Sequence, residues 1–220
     1  MIETRNLTKS FTSGDVVTSV LKGIDFKAKE GEFIAIMGRS GAGKSTLLYQ
    51  LSLLDDPTSG EIIIDGHDTH GMSADEKMNF RLRRFGFVFQ DYALLPELTA
   101  MENVALPLLM TGMGKREAYE KALAALSRAE LSHRVNNLPS QLSGGEQQRV
   151  SIVRAVAHDP KILFADEPTA NLDNDSAKRI MEIFTELHRE GQTLIMVTHE
   201  EQYARLAQRI VHLDDGRIVP

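Results

Sequence analysis

The sequence predicts an α/β fold whose core is a parallel sheet covered by helices on both faces. Towards both ends of the chain, short apolar runs rich in β-branched and aromatic residues alternate with helical stretches. Strands that are apolar at nearly every position are typical of parallel sheets buried on both sides. We assign such strands to residues 33–37, 62–64, 85–89, 162–165 and 194–197.

The middle of the chain has a different pattern. Between about residues 99 and 158 the strand-like runs stop and apolar residues recur at helical spacing, as Ala118, Ala122, Ala125 and Leu126 do within residues 115–131. We therefore predict one domain over residues 1–220, with an α/β core at 1–90 and 159–220 and an inserted helical part at 91–158. Residues 209–213 and 218–219, joined through Asp215 and Gly216, predict a closing hairpin.

Composition limits the class of protein. The 25 Lys and Arg residues are outnumbered by 31 Asp and Glu residues, for a net charge of -6, and no basic run would attract nucleic acid. There are no cysteines, which excludes disulfides and thiolate metal sites. The chain start resembles no signal peptide, and the longest wholly apolar run, residues 104–110, is too short for a membrane span. We expect a soluble intracellular protein without a nucleic-acid partner.

A phosphate-binding loop follows the first predicted parallel strand. The order of strand, Gly-rich loop ending in Lys-Ser, and helix is the context that a Walker A loop requires. Backbone amides at the helix start would bind phosphate oxygens, Lys44 would add a positive charge, and Ser45 could bind Mg²⁺. The residues are Gly38, Arg39, Ser40, Gly41, Ala42, Gly43, Lys44, Ser45 and Thr46.

Two adjacent carboxylates, Asp166 and Glu167, follow a predicted buried strand. A carboxylate at such a place is costly without a partner. Asp166 would reach Mg²⁺, and Glu167, which Pro168 should hold extended, could polarise an attacking water. An ordinary strand-to-loop turn is the alternative for Asp-Glu-Pro taken alone.

A second glycine-containing helix start lies at Leu142, Ser143, Gly144, Gly145 and Glu146. Ser143 and Glu146 have the spacing of a capping box. The capping box does not account for two glycines in the first turn, where each costs roughly 0.5–1 kcal/mol relative to Ala. Bare backbone at the positive end of a helix suits a closely approaching anion.

Together these motifs resemble the ABC ATPase family, in which Leu142–Glu146 matches the signature that contacts the γ-phosphate of ATP held by the opposite subunit. The resemblance covers essentially the whole chain, with Walker A, signature and Walker B in the family's order. It implies a P-loop NTPase (RecA-like) core, an N-terminal antiparallel β subdomain and an inserted helical signature subdomain. It also implies ATP and Mg²⁺ as ligands, and a homodimer that forms on ATP binding.

The resemblance assigns roles to residues that carry little signal alone. Gln90 matches the Q-loop glutamine, which senses Mg²⁺ and the γ-phosphate, so that Ser45, Gln90 and Asp166 form the implied metal set. His199 matches the switch histidine that acts with Glu167. The D-loop that crosses between subunits matches Asn171, Leu172 and Asp173, although Asp173 could equally cap the next helix. Phe11 stands where the family stacks an aromatic ring on adenine, and a buried strand-end aromatic is the alternative.

Residues 90–108 resemble the lipoprotein-releasing and macrolide-exporting (LolD/MacB-type) branch of the family. That branch implies a cytoplasmic location on the inner face of the membrane and an integral permease with few helices and a large extracytoplasmic domain. A cell-division ATPase that regulates an extracytoplasmic enzyme without transport is the alternative. Either the groove for a permease helix or ordinary core packing would explain the apolar residues Tyr92, Leu94, Leu95, Leu98 and Met101.

Overall fold

A computed structural model describes all 220 residues. In chain order the strands and helices are β1 (Ile2–Ser13), β2 (Val16–Ala28), β3 (Phe33–Met37), α1 (Lys44–Leu51), β4 (Ser59–Ile64), β5 (His67–Asp68), α2 (Ala74–Arg84), β6 (Phe85–Val88), α3 (Ala100–Met110), α4 (Lys115–Arg128), α5 (Gly144–Val156), β7 (Ile162–Asp166), α6 (Asn174–Arg189), β8 (Thr193–Val197), α7 (Glu201–Ala204), β9 (Arg209–Asp214) and β10 (Arg217–Val219). Two 3-10 turns, Ser132–Arg134 and Pro139–Gln141, precede α5. No helix combines the length and the apolar character needed to cross a membrane.

The chain forms two compact units, Met1–Asn79 with His188–Pro220, and Phe80–Leu187. The first unit contains an antiparallel sheet in which β1 lies between β2 and β4, and β5 pairs with β4. The strand at residues 62–64, which we predicted among the parallel strands, belongs to this sheet as part of β4. An apolar run alone does not reveal which partner strand lies beside it, and that prediction was wrong for this one run.

The first unit also contains parallel pairings. β3 lies between β8 and β9, parallel to both, and β10 returns antiparallel to β9 through Asp215 and Gly216. Every residue of β8 is buried, and so are all residues of β3 before Met37. The apolar runs at 33–37 and 194–197 and the closing hairpin are thus confirmed.

The second unit pairs β6 with β7 in parallel and has helices α3, α4 and α5 packed together. No strand lies between β6 and β7, as the change to helical periodicity predicted. The helices share an apolar cluster that includes Val104, Leu108, Ala118, Ala122 and Leu126. Our division at residues 90 and 159 is a different partition from these two units and stays a prediction.

Candidate functional site

The phosphate loop ends in a helix start that no side chain caps. Gly43 precedes α1 in a left-handed conformation, with φ of 98° and no side-chain hydrogen bond to the first turn. The loop curls around Lys44, whose side-chain Nζ donates to the Arg39 carbonyl oxygen at 3.2 Å, and Lys44 is only 8% exposed. The first amides of α1 therefore lack a capping side chain, beside a buried ammonium group.

The closing hairpin supports this loop from behind. A side-chain carbon at Gly38 would lie 2.1 Å from the Leu213 carbonyl oxygen, so only glycine allows the loop to pass this close to β9. Gly216 donates its amide to the Ala42 carbonyl at 3.1 Å, and its own carbonyl accepts from the Lys22 amide at 2.8 Å. The shape of the loop thus depends on backbone contacts with the hairpin, which is in turn hydrogen-bonded to β2.

His199 and the start of this loop follow the carboxyl ends of neighbouring parallel strands. β3 and β8 are neighbouring parallel strands with Ile36 opposite Val197, so both strands end at the same edge. Gly38 follows β3, whereas Thr198 and the exposed His199 follow β8. The Thr198 amide donates to the Ile36 carbonyl at 3.2 Å. The first unit therefore presents the phosphate loop and His199 at the carboxyl ends of two neighbouring parallel strands.

The second unit repeats this arrangement with Gln90 and Asp166. β6 and β7 are neighbouring parallel strands with Val88 opposite Ala165, and Asp166 is the last residue of β7. Asp166 is 5% exposed, whereas Gln90 follows the end of β6 and is exposed. A buried carboxylate at the end of β7 and an exposed amide just after β6 therefore lie at the ends of adjacent strands.

Glu167 does not have the extended backbone that we predicted from Pro168. Its φ is 43°, in the left-handed region. The turn begins at this residue, because the Glu167 carbonyl accepts from the Ala170 amide at 3.2 Å. The side-chain amide of the fully buried Gln148 donates to the Pro168 carbonyl at 2.7 Å and fixes the turn from α5. Tertiary contacts thus override the local preference before proline.

The start of α5 has the capping box that the sequence predicted. The Glu146 amide donates to the Ser143 side-chain oxygen at 3.3 Å, and the Ser143 amide donates to the Glu146 carboxylate at 2.8 Å. Arg134 Nε also donates to Glu146 at 2.8 Å. Burial alone would raise the pKa of Glu146, but the hydrogen bonds from Ser143 and Arg134 outweigh it and leave that pKa lowered.

The two signature glycines pack against side chains of the same chain, a reason that the local sequence does not reveal. A side-chain carbon at Gly144 would lie 2.9 Å from the Tyr92 hydroxyl oxygen, and one at Gly145 would lie 2.8 Å from the Ser176 hydroxyl oxygen. An approaching anion is therefore not needed to explain them. Ser143, in contrast, is exposed at the tip of the helix.

The segment before α6 links several of the predicted residues. The Asp173 carboxylate accepts from the Ser176 amide at 2.9 Å and from the Ser176 hydroxyl at 2.7 Å, which lowers the pKa of Asp173 and confirms it as a helix cap. The Asn171 side-chain amide donates to the Gln90 carbonyl at 3.1 Å. The Leu172 side chain lies close to Gly144, where an added side-chain carbon would be 3.6 Å from it.

Phe11 is exposed, which excludes the alternative of a buried strand-end aromatic. The ring is 48% accessible and belongs to β1, where it pairs with Thr18 of β2. Lys9 Nζ lies 4.9 Å from the ring centroid and also forms an ion pair with Asp55 at 2.7 Å. Lys9 carries no signal in the sequence, because a lysine in an alternating strand usually points into solvent.

Neither core packing nor a groove for a permease helix alone matches the burial of the apolar residues in the 90–108 segment. Leu94 and Met101 are partly buried against the helical cluster, whereas Leu95 is 42% exposed. Tyr92 and Leu98 are half-buried. Core packing accounts for part of this set and leaves Leu95 open to solvent.

Comparison with known proteins places the chain in one family. The sequence model described as ABC transporter matches residues 21–170. An uncharacterized ABC transporter ATP-binding protein of Methanocaldococcus jannaschii is 48% identical over 219 residues, covering 100% of this chain and 98% of the relative. The lipoprotein-releasing system ATP-binding protein LolD of Aquifex aeolicus is 48% identical over 200 residues, covering 91% of this chain and 89% of LolD.

Further relatives include longer proteins and a solved dimer. The macrolide export ATP-binding/permease protein MacB of Marinobacter nauticus is 44% identical over the whole of this chain, which spans only 34% of that protein. A dimeric post-hydrolysis structure of the ATP-binding cassette MJ0796 with ADP and Pi superposes with a TM-score of 0.94 and 43% identity, covering 100% of this chain and 97% of that one.

A P-loop α/β fold with these motifs defines an ATP-hydrolysing cassette. The chain belongs to the ABC transporter family, and it binds and hydrolyses ATP as the cassettes of that family do.

Proposed function

We propose that this cassette dimerises around two ATP–Mg²⁺ molecules and drives a membrane permease of the lipoprotein-release or macrolide-export type. The start of α1 carries the proposal: its first turn has no side-chain cap, and the buried Lys44 ammonium lies within the loop. Amides and an ammonium group in this arrangement suit the phosphates of a nucleotide. The residues that we propose to bind ATP are Phe11, Gly38, Arg39, Ser40, Gly41, Ala42, Gly43, Lys44, Ser45, Thr46 and Gln90.

The donors that we propose for Mg²⁺ suit that ion chemically. Ser45, Gln90 and Asp166 offer a hydroxyl, an amide oxygen and a carboxylate, all hard oxygen ligands. The chain has no group of three His, Cys, Asp or Glu residues that could hold a metal by themselves. A single carboxylate fits an ion that takes its other ligands from phosphates and water. When bound at these residues, Mg²⁺ would supply neutralisation of the charge that develops during phosphoryl transfer.

Glu167 and His199 are the residues that we propose to act in hydrolysis. Glu167 accepts the proton of the attacking water, and its left-handed backbone is the kind of conformation that active sites retain at a cost of about 1–3 kcal/mol. His199 orients that water and the γ-phosphate. Because His199 is exposed at the edge where the phosphate loop begins, it is accessible to a bound nucleotide.

The second half of each site comes from the other copy in this proposal. Leu142, Ser143, Gly144, Gly145 and Glu146 contact the γ-phosphate held by the partner's phosphate loop, and Asn171, Leu172 and Asp173 cross between the copies. Ser143, Asn171 and Asp173 are exposed, which supports their access to a second copy. ATP then joins the two copies, and its hydrolysis removes the shared contact and lets them separate.

The cassette dimer would act on a permease at the cytoplasmic face of the membrane. The relatives named LolD and MacB support this class of partner. The exposed Leu95 and the half-buried Tyr92 and Leu98 offer apolar surface for a permease helix. A neighbouring gene for a four-helix permease with a large extracytoplasmic domain would support this partner, whereas its absence would favour another branch of the family.

The variant Glu167→Gln tests the hydrolytic mechanism. Loss of the base should lower turnover by about 10²–10⁴-fold, while ATP binding persists, so that an ATP-dependent dimer accumulates. Light scattering after size exclusion, with and without ATP, measures the dimer. Glu182→Gln, at an exposed position of α6, is the control and should behave as the wild type.

Two results would contradict the proposal in different ways. Wild-type turnover in Glu167→Gln would remove this carboxylate from the mechanism. A hydrolysis-blocked cassette that binds ATP but stays monomeric, with or without its permease, would exclude the two-copy site and leave simple ATP binding intact.

A further inference from the structure

The backbone directly after Gln90 is strained. Tyr92 and Ala93 both have left-handed backbones, with φ of 64° and 47°. For residues other than glycine this conformation costs roughly 1–2 kcal/mol each. The turn is tight, because the Ala93 amide donates to the Asp91 carbonyl at 2.7 Å. Such a segment keeps its shape only where surrounding contacts hold it.

Arg154 of α5 supplies these contacts. Its two terminal nitrogens donate to the carbonyl oxygens of Ala93 and Tyr92, at 2.5 and 2.9 Å. The planar guanidinium can bind two neighbouring oxygens at once, which a lysine ammonium cannot do with the same geometry. Burial lowers the pKa of Arg154 from its usual value, although a guanidinium remains charged at neutral pH. The largely buried guanidinium group of Arg154 therefore binds two backbone carbonyl oxygens.

The same helix begins at the signature. Gly144 at its start lies against the Tyr92 hydroxyl, and Arg154 in its last turn holds the Tyr92 carbonyl. Helix α5 thus contacts both the hydroxyl group and the backbone carbonyl of Tyr92. The carbonyl of Gln90 is held separately, by the side-chain amide of Asn171 at 3.1 Å.

We infer that Arg154 is a positioning residue for Gln90, which it fixes relative to the signature helix through the strained segment 91–93. When α5 shifts, the segment follows or loses two charge-assisted hydrogen bonds. The position of Gln90 thereby depends on the position of the signature. This inference rests on the Mg²⁺-binding role proposed above for Gln90.

The test compares Arg154→Met, which retains much of the apolar stem, with Arg154→Lys, which retains the charge. Gln90→Ala is the reference, and Arg116→Met on α4, with a side chain 93% exposed, is the matched control. The Mg²⁺ concentration for half-maximal ATP hydrolysis should rise about 3- to 30-fold in Arg154→Met and less in Arg154→Lys. The KM for ATP should change less than the Mg²⁺ requirement does, since the phosphate loop, which makes most of the proposed ATP contacts, is unchanged.

A double variant separates positioning from general damage. If Arg154 acts through Gln90, Gln90→Ala combined with Arg154→Met should have the Mg²⁺ requirement of Gln90→Ala alone. Additive shifts, or a wild-type Mg²⁺ requirement in Arg154→Met, would overturn the inference. Should Arg154→Met fail to fold, Arg154→Lys carries the same comparison.

Hydrogen exchange distinguishes failure of this inference from failure of the proposed function. Amides 91–95 should exchange faster in Arg154→Met than in Arg116→Met, whatever Gln90 does in catalysis. Unchanged exchange there would overturn the link to α5. A Gln90→Ala variant with a wild-type Mg²⁺ requirement would instead refute the Mg²⁺ role of Gln90.

Discussion

The two glycine-containing helix starts look alike in sequence, but their structures differ. At α1 the residue before the helix, Gly43, is left-handed and no side chain caps the first turn. At α5, Ser143 and Glu146 cap each other, and both glycines pack against the chain itself. The start of α1 has no side-chain cap that a ligand would have to displace. The start of α5, in contrast, is capped and packed by residues of the same chain. Of the five signature residues that we propose to contact ATP, Ser143 is the exposed one, whereas Leu142 and Gly145 are buried.

The largest expected difference between the two starts is in ATP affinity. Lys44→Ala removes the ammonium group from the phosphate loop and should weaken ATP binding by about 2–3 kcal/mol, or roughly 30- to 150-fold. Ser143→Ala should weaken binding to a single copy hardly at all. Equilibrium binding of a fluorescent ATP analogue to the monomer measures both, with the exposed Lys27→Ala as control. Equal losses in the Lys44 and Ser143 variants would refute the distinction.

The next effect concerns stability. Gly145→Ala places a methyl group against Ser176, whose hydroxyl is held by Asp173, and should lower the free energy of unfolding by about 1–3 kcal/mol. Adding Ser176→Ala should restore part of the loss by removing the nearest atom. Urea unfolding of the single and double variants gives the coupling energy.

Gly114→Ala is the matched control, at a helix start where the added carbon meets nothing within 4 Å. It should cost less than about 1 kcal/mol. If Gly145→Ala proved equally harmless, packing would not be the reason for the second signature glycine.

The smallest effect is the pH dependence of the α5 cap. The Glu146 pKa is lowered in the folded protein, so its carboxylate contributes stability that is present above the unfolded pKa and is lost as the pH falls through the folded pKa. The loss therefore falls below about pH 4.5, the ordinary value for glutamate. Thermal unfolding between pH 6 and pH 3.5 should show a wild-type advantage of about 0.5 kcal/mol over Glu146→Gln at the upper end only. A constant difference would exclude titration of this group.

The features that could be predicted best from the sequence are those that depend only on residues close together along the chain. The capping box needs only residues three apart, and the closing hairpin needs only its Asp-Gly turn, so both are present as expected. The left-handed Glu167 was not predictable, because Gln148 fixes that turn from twenty positions away. The packing contact that explains Gly145 could not be predicted either, because its partner Ser176 lies on another helix. Local rules could not show that either contact existed.

The contact between Gly38 and Leu213 also has a consequence for how the protein is made. The phosphate loop leaves the ribosome early, yet the hairpin that supports it is synthesised about 170 residues later, which takes on the order of 10–30 s at about 5–20 residues per second. A nascent chain should therefore acquire ATP affinity only after residues 209–217 emerge. Nucleotide would then not act as an early folding template, and premature nucleotide capture by incomplete chains would be avoided.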